Sequence, residues 1–85
     1  MADAALQETI EHRFPRLMAA GVDYNDAQTV LGTITRMEEW MPVWEGLAET
    51  HEGLGDAALA EGRAMTAGEA FVRAALYYHI GQSVS

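Results

Sequence analysis

The chain has 85 residues, no cysteine, and thirteen Asp and Glu against five Arg, for a formal net charge of −8. That length supports one small domain with a modest core, and the lack of cysteine excludes disulfides and thiolate zinc sites. The charge repels phosphate backbones, so nucleic acid is not an expected partner, and no stretch approaches the roughly 18 apolar residues of a membrane span.

The N-terminus has no basic region followed by an apolar run, so a cytoplasmic protein is expected. The acids are dispersed, as on solvated helix faces. No internal repeat or low-complexity segment is present, and the composition and apolar spacing predict an all-α chain, one domain over 1–85, with short irregular helices across 3–34 and an antiparallel helical hairpin across 37–82.

In chain order, Asp3 can cap a first helix through Leu6 and Ile10 to about Arg13, and Pro15 is placed to open a short second turn that Gly21 ends. The stretch from Val22 to Asp26 offers side-chain caps for a further helix with Val30, Leu31 and Ile34 as its apolar residues, weakened by Gly32. From Met37 to Glu61, Trp40, Trp44, Leu47, Ala48, Leu54 and Ala58 recur at helical spacing as one apolar stripe. Pro42 would break a helix interior, so the regular part is expected from near Met41, with Trp40 at its mouth.

Gly62 can end that helix, and Thr66-Ala67-Gly68-Glu69 reads as a capping box that opens a last helix from Ala67 to about Gln82. The connection between the two is short, which implies antiparallel neighbours. The last helix is apolar around nearly its whole circumference. If Phe71, Ala74 and Tyr78 pack on the hairpin, then Val72, Leu76 and Ile80 form a second apolar face that needs a cover. Tyr77, Tyr78 and His79 follow one another around that helix, so at least one ring must leave the hairpin side. Arg73, among apolar residues, calls for an acceptor, and Glu69 one turn earlier can supply it.

Few residue patterns carry chemistry. There is no Gly-x-Ser-x-Gly elbow, the serines Ser83 and Ser85 stand at the chain end, and without lysine no phosphate loop can form. The histidines His12, His51 and His79 lack metal-ligand spacing, and Asp23-Tyr24-Asn25-Asp26 lacks the glycine and distant glutamate of a calcium loop. No catalytic residue, metal or cofactor is therefore expected. His51 falls on the apolar stripe and reads as a hydrogen-bonded core histidine before a proton-transfer residue. Trp40 and Trp44 serve either as core or as the wall of an aromatic pocket.

Trp40-x-x-x-Trp44, Leu54-Gly55 with Ala58, Gly62, and Thr66-Ala67-Gly68-Glu69-Ala70-Phe71-x-Arg73-Ala74 followed by Tyr77-Tyr78 resemble the N-terminal helical region of a group of α/β-hydrolases. That group includes dihydroxypseudooxynicotine hydrolase, fungal polyketide-shortening hydrolases and the fermentation-respiration switch esterase. The resemblance runs from about Phe14 to the end and is sharpest from Trp40. It implies a lid that shapes the substrate pocket of a hydrolase cleaving a carbon-carbon or ester bond next to a carbonyl, with Trp40, Trp44, Tyr77 and Tyr78 as substrate-pocket candidates. The Ser-Asp-His triad of such enzymes belongs to a core that these residues do not include, so the implied partner is an α/β-hydrolase core domain. A free-standing interaction module that covers the same apolar face by homodimerisation is the alternative.

Overall fold

The computed structural model describes residues 4–83 and is all-α, with no strand among the described residues. Four α-helices follow in order: α1 (Ala4–Ala20), α2 (Tyr24–Thr33), α3 (Trp40–Ala60) and α4 (Ala64–Gly81), with a single 3-10 turn (Met37–Glu39) leading into α3. The proposed Asp3 cap lies outside the described residues.

The expected break at Pro15 does not occur, and α1 runs through it as one helix. Leu6, Ile10 and Leu17 form its buried stripe, with Phe14 and Met18 packed against the same core. Proline removes the bond to the carbonyl of Glu11, but both residues are exposed, so water can serve that carbonyl while the apolar stripe holds the helix in place. Pro42, in contrast, stands third in α3, where no N–H has an intrahelical acceptor, and it opens the helix as expected.

Both predicted glycine stops are real and share one geometry. Gly21 has φ 97° and lets Val22 N–H reach the carbonyl of Leu17 at 3.1 Å; Gly62 has φ 78° and lets Arg63 N–H reach Ala58 at 2.9 Å. Each is the six-to-one bond of a Schellman ending, which needs a left-handed residue that only glycine adopts cheaply.

The capping box at Thr66 does not form. α4 begins at Ala64, three residues before the expected start, with Arg63 at its N-cap position and no side-chain cap bond. The Schellman turn at Gly62 delivers the chain to the new helix so early that Thr66 and Glu69 lie within its first turns, where both are exposed.

α3 and α4 make the antiparallel hairpin that the short connection implies, and they dominate the packing. Their contact line consists of small residues at its far end: Ala58, Ala67 and Ala74 are buried, and Gly55 meets the ring of Phe71 so closely that a Cβ there would stand 2.6 Å from its Cε1. Gly55, not Leu54, faces the partner helix, which leaves Leu54 56% exposed and off the stripe where spacing had put it. At the near end the line widens into Trp40, Trp44 and Tyr77, and α1 and α2 cover these rings. The hairpin tip extends beyond that cover, giving a long shape of 46 × 22 × 21 Å.

Candidate functional site

The polar group that ties the bundle together starts with the cap of α2. Asp23 sits extended before the helix, and its Oδ1 accepts the amide of Asp26 at 3.1 Å. In a full capping box the side chain at the position of Asp26 would return to the N–H of Asp23. Here the hydroxyl of Tyr77 is interposed: it accepts from Asp23 N–H at 3.3 Å and donates to Asp26 Oδ2 at 2.5 Å. The same Oδ2 meets His51 Nε2 at 3.1 Å, so one carboxylate oxygen of α2 joins α3 and α4.

Aromatic packing encloses the group. The Trp44 and His51 rings each stand edge-on to Tyr77 with centroids 5.3 Å apart, and Trp40 lies 5.7 Å from Trp44. Burial, and then the hydrogen bond to the Asp26 carboxylate, hold the Tyr77 phenol well above its usual pKa, so at neutral pH it remains a donor. The carboxylate selects the His51 tautomer with the proton on Nε2. His51 therefore fills the hydrogen-bonded role that its place on the stripe implied, one side against Asp26 and the other at a groove lined by Arg63, Thr66, Glu69 and Arg73.

Of the four residues proposed for a substrate pocket, the structure brings three together in the core. Trp40, Trp44 and Tyr77 are essentially fully buried. The Trp40 indole N–H donates to the carbonyl of Ile80 at 3.1 Å and pins the start of α3 to the end of α4, whereas Trp44 Nε1 is buried without an acceptor among the described residues. Tyr78 lies apart, half-buried on the hairpin flank, with its hydroxyl donating to Glu52 at 3.2 Å. Burial and the charges of Glu52, Glu49 and Glu45 raise its phenol pKa. Among the three successive rings, Tyr77 points inward and His79 outward.

Two sequence readings change. Arg73 is exposed and makes no ion pair with Glu69 among the described residues, because its neighbours on the outer side of α4 face solvent. Ile80 is 7% exposed and belongs to the core, while Val72 is 71% exposed, so the uncovered face of α4 is displaced toward its N-terminal half. There Met65, Gly68, Val72 and Leu76, spaced three and four apart, line a shallow trough of about 760 Å³ against Ala20 and Gly21 at the end of α1.

Asp26 carries the polar cluster but entered the sequence reading only as a possible cap and within a stretch that lacks the pattern of a calcium loop. Its position three residues after Asp23 was the available signal. Glu39 was missed altogether: its Oε1 accepts from Thr35 N–H, Thr35 Oγ1 and Arg36 N–H, closing the turn that feeds α3.

Comparison of the chain with protein-family models, with characterised proteins and with solved structures gives no match. Among the described residues no helix is long and apolar enough to cross a membrane.

Proposed function

We propose that this chain is a non-catalytic helical module, the lid of an α/β-hydrolase, which rests on its catalytic core through the uncovered face of α4. The observation that supports this reading is the trough along Met65, Gly68, Val72 and Leu76, where Met65 is 82% and Val72 71% exposed in a chain with a small core. Large side chains left in water at helical spacing on one face mark a surface that another surface covers. The motif resemblance from Trp40 to Tyr78 names the occupant as a hydrolase core.

In this reading the aromatic core does not touch substrate directly in the conformation described. Trp40, Trp44 and Tyr77 stiffen the lid, and a stiff lid excludes water from the pocket it covers.

The test is the intact mass of the natural polypeptide together with its labelling by a fluorophosphonate, which modifies an activated serine. The lid reading expects a mass several-fold above 9.3 kDa and covalent labelling. An unlabelled protein of 9.3 kDa overturns it. If that protein also forms a dimer that Val72→Glu dissociates, the same face serves self-association, which the exposed trough supports equally well on physical grounds.

A further inference from the structure

A second cleft, of about 360 Å³, lies between the latter half of α1 and the C-terminal end of α4. His12, Arg13 and Arg16 of α1 face it together with His79 of α4, and among the described residues no acidic side chain lines it. In a chain of net charge −8 with five arginines and three histidines, this places two of the arginines and two of the histidines around one opening. Its apolar lining comes from Leu17, Trp40 and Ile80.

Of the other three arginines, Arg36 and Arg63 are paired, while Arg73 is exposed without an ion pair among the described residues and lines a groove that also holds Glu69. Arg36 approaches Glu38 at 3.9 Å and Arg63 holds Glu61 at 2.5 Å. Arg13 and Arg16 make no ion pair or hydrogen bond through their guanidinium groups among the described residues; Arg13 is held over the Trp40 ring, 5.6 Å from its centroid. Compensation of the helix end does not account for them. The carbonyl of Ile80 already accepts from Trp40 Nε1, Ser83 N–H and Ser83 Oγ, and those of Tyr78 and His79 accept from Gln82 N–H. The cleft therefore sets two guanidinium groups beside apolar walls in a recess of small-molecule size, which typically spans roughly 300–1,000 Å³.

We propose that this cleft binds a small organic oxyanion, a carboxylate or phosphate group on an apolar body, with Arg13 and Arg16 holding the charged end and Trp40, Leu17 and Ile80 contacting the apolar part. Guanidinium groups suit both heads because their paired N–H donors match two oxygens at once. The site lies within this chain and does not depend on the lid reading.

The experiment is a titration of the full 15N-labelled chain at low ionic strength with phenylphosphate, with phenylacetate and, as a neutral control, with benzyl alcohol. The expected result is saturable shifts at residues 12–20 and 79–83 with one or both anions and none with the alcohol; the tighter anion identifies the head group. Arg16→Gln, at an exposed position that leaves the fold intact, should weaken binding by about fivefold or more, and Arg13→Gln likewise. Shifts that do not saturate, that the alcohol reproduces, or that survive in the double Arg13→Gln, Arg16→Gln variant with a native-like spectrum overturn the site.

Discussion

Tyr77 and Asp26, 51 positions apart, share the short hydrogen bond that closes the bundle, with the phenol donating to Oδ2 at 2.5 Å while it accepts from Asp23 N–H. Tyr77→Phe keeps the ring between Trp44 and His51 but removes both bonds. The Asp23 N–H loses its acceptor and the Asp26 carboxylate oxygen one of its two donors, which should destabilise the fold by about 1–3 kcal/mol. Urea unfolding of the two proteins measures this directly, and equal midpoints would show that the cluster contributes nothing.

The same pair sets an alkaline limit. The folded pKa of Tyr77 is raised above its ordinary value of about 10, so the neutral phenol is the form that the fold favours. Its contribution is fully present below that pH and is lost as pH rises through it toward the folded value. The stability difference between wild type and Tyr77→Phe should therefore be constant up to about pH 10 and shrink above it. A difference that grows with alkalinity would reverse the assignment.

Glu39 gives the opposite dependence. The hydrogen bonds from Thr35 N–H, then from Thr35 Oγ1 and Arg36 N–H, hold its carboxyl below the ordinary 4.5. The stability it supplies is present above that value and lost as pH falls through the folded pKa. Glu39→Gln should remove part of the acid dependence seen between neutral pH and pH about 3, read as a smaller change of urea midpoint over that interval.

Two glycines two positions apart, on opposite faces of α3, predict opposite signs. At Gly53 nothing lies within 4 Å of an added Cβ, so Gly53→Ala should stabilise the helix by about 0.5–1 kcal/mol. At Gly55 the added methyl meets Phe71 at 2.6 Å, so Gly55→Ala should destabilise by about 1–3 kcal/mol. Combining the latter with Phe71→Leu should recover part of the loss, and a double variant no better than the single one would place the cost elsewhere.

Pro15 interrupts the hydrogen bonds of α1 without ending it. Pro15→Ala restores the N–H directed at Glu11 on the exposed side of the helix. An interior proline costs about 3 kcal/mol, offset in part by its restriction of the unfolded chain, so a net gain of about 2 kcal/mol is expected. Thermal unfolding followed by far-ultraviolet circular dichroism would register it, and a lower transition temperature would mean that the proline's restriction of the unfolded chain outweighs the restored bond.

Local signals in the chain were sufficient for the all-α class, for the two glycine stops and for the hairpin, because these depend on backbone conformation and on an apolar period of 3.6, both written within a few neighbouring residues. They misplaced the break at Pro15 and the start of α4. In each case a local preference competed with packing: the Leu6, Ile10 and Leu17 stripe carries α1 past its proline, and the Gly62 turn starts α4 before Thr66 can cap it.

By itself, then, the sequence determined the all-α class, the helix ends at Gly21 and Gly62, and the antiparallel pairing of the last two helices. Only the tertiary structure decided that Tyr77 completes the cap of α2, that His51 shares Asp26 with it, that Gly55 admits Phe71, and that Arg13 and Arg16 converge with His79. The reason is one of distance along the chain. Periodicity and caps are relations between residues within about four positions, whereas these contacts join residues on different helices and exist only once the helices have chosen their neighbours.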